Sequence, residues 1–74
     1  MFAVMAKRKI RRELNRIKIQ LELQGKSQEW LKERLKVSYV TVNKWCNNAT
    51  QPRLEILYDI ARILKVSIHD LLNE

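Results

Sequence analysis

A chain of 74 residues with one glycine, Gly25, and one proline, Pro52, has few places to turn a hairpin. Leu, Ile, Lys, Arg, Glu and Gln dominate the composition, and all of these but β-branched Ile lose little side-chain freedom in a helix. The sequence therefore predicts an all-α chain. Its length allows one domain with a small core, so helix packing must supply most of the stability. Cys46 is the sole cysteine, which rules out an internal disulfide, and no Cys/His cluster is present to hold a structural metal. A single thiol also fits a reducing, cytoplasmic setting.

Five helical segments can be read. In the first, Ile10, Leu14, Ile17 and Leu21 recur at helical spacing until Gly25-Lys26 stops it. Ser27 is the N-cap of a second segment, with Glu29 in its first turn and Leu31 and Leu35 facing inward. Ser38 is the N-cap of a third, running to about Asn47, with Val42 and Trp45 toward the core. Its β-branched run Val40-Thr41-Val42 has indifferent helix propensity, so tertiary packing must hold it. A polar loop, Asn47 to Pro52, follows; Asn48 tolerates a left-handed backbone, and Pro52 disfavours helix before it. The fourth segment starts near Arg53 and puts Leu54, Leu57, Ile60, Ala61 and Leu64 on one face. Ser67 and Asp70 form a capping pattern for a short fifth helix carrying Ile68, Leu71 and Leu72.

The formal net charge of +7 is unevenly spread. Residues 1–18 hold seven bases against Glu13, and residues 26–53 hold Lys26, Lys32, Arg34, Lys36, Lys44 and Arg53 against Glu29 and Glu33. From Leu54 onward, Arg62 and Lys65 face Glu55, Asp59, Asp70 and Glu74. A polyanion would therefore be met by the first two-thirds of the chain. The apolar stretch Phe2–Ala6 is too short for a secretory core, and its basic residues follow it instead of preceding it. Residues 1–13 read as a basic extension, with Met5 as an alternative start, and residues 14–74 as the domain. The run Lys7-Arg8-Lys9…Arg11-Arg12 suits a solvated tail or an arm on flanking phosphates. Membrane binding through residues 1–21 would leave the rest of the chain without a task.

The informative unit is Ser27 to Asn47. Two short Ser-capped helices joined by a three- or four-residue turn form a helix-turn-helix, in which the first braces the second so that its outer face can enter a DNA groove. That outer face carries Tyr39, Val40, Asn43, Lys44 and Asn47. Asn43 can pair with an adenine edge, and Lys44 can reach guanine or a phosphate. Tyr39 and Val40 can meet thymine methyls, and Val40 could equally pack against the first helix.

The same residues resemble the phage repressor and Cro-type (XRE-like) helix-turn-helix family. The similarity runs from about Asn15 to Leu72. It rests on Ser27-Gln28-Glu29, Val37-Ser38, Thr41-Val42-Asn43-Lys44-Trp45, Asn47, Gln51-Pro52, Leu54-Glu55-Ile56-Leu57 with Ile60-Ala61, and Val66-Ser67…Asp70-Leu71-Leu72. The resemblance implies a compact five-helix domain that binds operator double-stranded DNA and regulates transcription, often as a homodimer on a palindrome. Position by position it makes Tyr39, Val40, Asn43 and Lys44 base-reading residues, Gln28 a phosphate contact and Asn47 a backbone contact. Two positions depart from the family. Lys32 stands where the family has Ala at the helix crossing, and its stem can pack there while the ammonium reaches water. Lys36 stands where the family has Gly in left-handed backbone, at a cost on the order of 1 kcal/mol.

Other residues have plainer readings. Trp45 belongs to the core, and Trp30 is partly buried beside the Leu31 face. Cys46 is an inert thiol, and His69 is solvated. One His and one Cys with no Gly-rich phosphate loop assign no catalytic site, so no enzyme, cofactor or small-molecule ligand is expected. The leading expectation is a DNA-binding transcriptional regulator acting as a repressor, with Lys26 and Arg53 adding phosphate contacts and the C-terminal helices making a homodimer. The alternative is a protein-interaction module, such as an antitoxin or adaptor, that binds a partner through its apolar C-terminal end.

Overall fold

In a computed structural model, which describes residues 13–73, four α-helices follow one another: α1 (Ile17–Leu23), α2 (Gln28–Leu35), α3 (Tyr39–Cys46) and α4 (Leu54–Leu64). A 3-10 turn, Ile68–Leu71, closes the chain where a fifth helix was expected. Four residues suffice there because the Asp70 carboxylate accepts from both the N–H and the hydroxyl of Ser67, which satisfies the turn at its start. No strand occurs among the described residues, only an isolated antiparallel bridge between Asn15 and Leu72.

The expected serine caps are present. Ser27 Oγ accepts from the Trp30 N–H at 3.0 Å, and Ser38 Oγ from the Thr41 N–H at 3.1 Å. All four helices stop in the same way. Each is followed by a residue in left-handed backbone: Gly25, Lys36, Asn48 and Lys65. The N–H one position further on folds back to a carbonyl of the last turn: Lys26 to Leu21, Val37 to Lys32, Ala49 to Lys44, and Val66 to Ala61. Only one of these four stops is a glycine. Lys36, at φ 59 and ψ 45, has the backbone that the family resemblance implied, and Lys65 repeats it at φ 59 and ψ 43. A Lys36→Gly variant is expected to be more stable by about 1 kcal/mol, read as a higher urea midpoint at unchanged slope. An unchanged midpoint would mean that the left-handed lysine carries no strain.

The core is one cluster drawn from every element. Ile17 and Leu21 come from α1, Leu31 from α2, Val42, Trp45 and Cys46 from α3, Leu57, Ile60, Ala61 and Leu64 from α4, and Leu71 from the closing turn. Two stripe residues depart from expectation. Leu14 lies outside α1 and is exposed, because its carbonyl accepts from the Asn73 N–H and its N–H donates to Asn48, which leaves no helical turn there. Leu54 is 63% exposed: the buried stripe of α4 begins one turn later, at Leu57. Ile10 and most of the basic extension lie outside the described residues.

The one buried polar side chain among the described residues is Asn15. Its Oδ1 accepts from the Ile17 N–H, and its Nδ2 donates to the Trp45 carbonyl at 2.9 Å and to Gln51 Oε1 at 2.7 Å. Asn48 Oδ1 accepts from the N–H groups of Leu14 and Asn15, and from Gln51 Nε2. These bonds fasten the segment before α1 to the loop after α3, and so hold the C-terminal end of α3 in place.

Candidate nucleic-acid interface

α3 buries Val42, Trp45 and Cys46 and turns the rest of its surface outward. The 3.6-residue period places Tyr39, Val40, Asn43, Lys44 and Asn47 on that outer side. Tyr39, Val40, Lys44 and Asn47 are exposed, and Asn43 is half-buried where α2 crosses behind it. Val40 is 61% exposed, which decides against its packing on α1. No Asp or Glu occurs in Tyr39–Cys46, so the only formal charge on this helix is that of Lys44. Lys32 is half-buried on α2.

Three amides run along the edge of this face. Asn43 Nδ2 donates to Gln28 Oε1 at 3.0 Å, and Asn47 Nδ2 donates to Asn43 Oδ1 at 3.1 Å. Gln28 opens α2, so the amide plane of Asn43 is held from the neighbouring helix as well as its own. An Asn side chain has two N–H donors and two carbonyl lone pairs. These two bonds use one of each, which leaves one donor and one lone pair: the pair of functions that an adenine edge presents a match for in the major groove.

The structure treats the proposed phosphate contacts differently. Gln28 and Asn47 lie with Asn43, and Arg53 is exposed at the N-terminal end of α4, 3.9 Å from Glu55. Lys26 points elsewhere: its Nζ lies 4.9 Å from the centroid of the Trp30 ring. Trp30 is half-buried and carries Arg34 on its ring as well, at 4.5 Å. Sequence reading missed that arrangement and the Asn15–Asn48–Gln51 network.

The one thiol is buried. Cys46 is 3% exposed, and burial pushes its thiol up to about 11, with only partial opposition from the Lys18 charge. It is therefore protonated at neutral pH. His69 is exposed. No group of three or more His, Cys, Asp or Glu side chains able to hold a metal ion occurs among the described residues. No described helix is long and apolar enough to cross a membrane.

A family model described as helix-turn-helix matches residues 17–71, from the first residue of α1 to the end of the closing turn. The chain belongs to the Cro/C1-type helix-turn-helix family. In that family frame α2 and α3 are the paired helices, and Lys36-Val37-Ser38 is the turn between them. Among solved structures the chain is similar to that of a candidate DNA-binding protein from Bacteroides fragilis. The two share 38% identity at a TM-score of 0.80, over 81% of this chain and 97% of that one. None of the curated proteins matches the chain.

Proposed function

We propose that this chain is a sequence-specific regulator that binds double-stranded DNA by placing α3 in the major groove, and that it acts as a repressor by occupying a promoter. One observation carries the reading: a short helix, braced by α2, exposes Tyr39, Val40 and Lys44 beside an Asn43 amide held in place by Gln28. Tyr39, Val40, Asn43 and Lys44 read bases. Gln28, Asn47, Arg53 and Lys26 supply phosphate contacts, Lys26 after swinging off the Trp30 ring. The family membership and the similar Bacteroides fragilis protein support DNA as the partner. Residues 1–13 form an extension to a domain of residues 14–74, and their bases add affinity through flanking phosphates.

Homodimerisation is part of the same proposal. Leu71 is fully buried in its own core and Ile68 and Leu72 are half-buried, so the apolar C-terminal side chains left open are Leu54 and Tyr58 of α4, 63% and 50% exposed. The experiment is selection of bound duplexes from a random pool at near-physiological salt, where the charge-driven term does not mask base preference. The expected product is a palindrome with half-sites about 10 base pairs apart, as a symmetric dimer requires. Binding without any preferred sequence would overturn the base-reading role of α3. It would favour the protein-interaction reading, in which Leu54 and Tyr58 meet a different partner.

A further inference from the structure

Residues two apart on a helix point about 200° away from each other, so Trp30 faces away from Gln28 and the α3 face. On that other side α2 and the C-terminal end of α4 enclose an open cavity of about 580 Å³. Lys26 and Arg34 enter it from the α2 side, both against the Trp30 ring. Arg62 and Lys65 enter it from α4. No carboxylate lines it. Among the described residues only Arg62 of these four has an ion-pair partner, Asp59.

We propose that this cavity binds a small ligand carrying two or more phosphates, of the nucleoside di- or triphosphate class. The cations supply the charge. Stacking on the indole holds Lys26 and Arg34 in place, so less freedom is lost when an anion arrives. Arg34 brings a planar fork suited to phosphate oxygens, and Lys65 a compact charge opposite it. Ile63 supplies an apolar wall for the ring portion of the ligand beside the cation-covered indole. The volume lies within the range of small-molecule clefts, roughly 300–1,000 Å³, and a stiff duplex would touch only the rim.

Three of the last four carbonyls of α4 are already paired, which reduces their opposition to an anion. Gln24 Nε2 donates to the Leu64 carbonyl at 2.9 Å, and the N–H groups of Lys65 and Val66 cover those of Arg62 and Ala61. This site runs against the sequence expectation of no small-molecule ligand. The site shares Lys26 with the proposed phosphate contacts but takes nothing from α3, so base reading by α3 does not bear on it.

The test is titration of the full chain with ATP at near-physiological salt, followed by calorimetry and by the indole N–H resonances of Trp30 and Trp45. Saturable binding that moves the Trp30 resonance and leaves the buried Trp45 in place is expected. Adenosine alone should not saturate. A double variant, Arg34→Ala with Lys65→Asn, should bind ATP at least about tenfold more weakly, because two charge-assisted contacts are lost. Asn accepts the left-handed backbone of position 65, and an unchanged melting temperature checks that the variant is folded.

The proposal is overturned by absence of saturation up to about 5 mM ATP, below any useful affinity, or by equal binding of ATP to the variant. Equal binding of adenosine would also overturn it. A parallel titration with the selected duplex separates the two proposals. The double variant should keep its duplex affinity, and a matched loss of both ligands would make these cations part of the DNA surface instead. Should the chain bind no duplex at all, the ATP result stands on its own.

Discussion

Replacing Asn48 with alanine is expected to destabilise the domain by about 2–4 kcal/mol. Two separate losses add up to that figure. The side-chain oxygen Oδ1 of Asn48 accepts from the backbone N–H groups of Leu14 and Asn15, both at 2.9 Å, and its Nδ2 donates to the backbone carbonyl of Asn15 at 3.2 Å. Asn15 is buried, so its backbone groups have no ready access to water once these partners go. Each lost bond is worth about 1 kcal/mol net, and more where a buried group stays unsatisfied. The second loss is conformational. Asn48 sits at φ 59, where alanine pays about 1 kcal/mol that asparagine largely escapes.

A glycine variant separates the two losses. Asn48→Gly keeps the backbone conformation and loses only the side chain, so it should be more stable than Asn48→Ala by roughly 1 kcal/mol. Urea unfolding followed by the fluorescence of buried Trp45 measures both variants. Equal midpoints for the two would eliminate the conformational share. Against a total stability of about 5–15 kcal/mol for a domain, the alanine variant would be left close to its unfolding threshold. The region that loosens first should be the loop after α3, which puts DNA binding at risk as well as folding.

That network was the least legible part of the fold. Ser27, Ser38 and the Ser67–Asp70 pair can be read as caps because the mechanism is local: a hydroxyl or carboxylate three residues from the N–H it serves. The buried stripes of α2, α3 and α4 can be read because helical periodicity repeats every turn. Asn15, by contrast, is joined to Trp45, Asn48 and Gln51 across 30 to 36 residues, and a single polar residue outside a helix carries no period to reveal that. The same gap explains Leu14. Its spacing from Ile17 and Leu21 is helical, but its backbone is claimed by Asn48 and Asn73, partners that no local pattern identifies. Leu54 shows a different limit: periodicity gives the side of a helix that faces the core, not how far along the helix the core extends.

The outward face of α3 was legible to a greater depth. Tyr39, Val40, Lys44 and Asn47 are exposed where the motif places them. What sequence could not supply is the contact between Gln28 and Asn43, because it joins two helices across a turn that only the left-handed Lys36 sets. Lys26 marks the opposite case. A base next to the N-terminus of α2 reads as a phosphate contact in sequence, and the Trp30 ring captures it in the structure.

An Asn43→Ala variant is expected to lose discrimination at one base pair of the half-site by about 1–3 kcal/mol, while its affinity for mismatched duplexes changes little. The argument lies in what the Gln28 and Asn47 bonds leave available. Asn43 keeps one N–H and one lone pair, and its plane is held by partners at both ends. Truncation removes both functions at once, and no neighbour on α3 can replace them. Gln28→Ala should produce a smaller loss at the same base pair, since the reading amide survives with one of its two anchors, together with a uniform loss from the phosphate contact that Gln28 supplies. Arg53→Ala should behave differently from both. It should weaken binding to every duplex by a similar factor and lower the salt dependence by about one unit of slope, as loss of one phosphate contact does. Binding measured for all single-base variants of the selected site, at two salt concentrations, tells these patterns apart. If Asn43→Ala instead lowers affinity equally on every duplex, Asn43 holds α2 and α3 together without reading a base, and specificity must come from Tyr39, Val40 and Lys44.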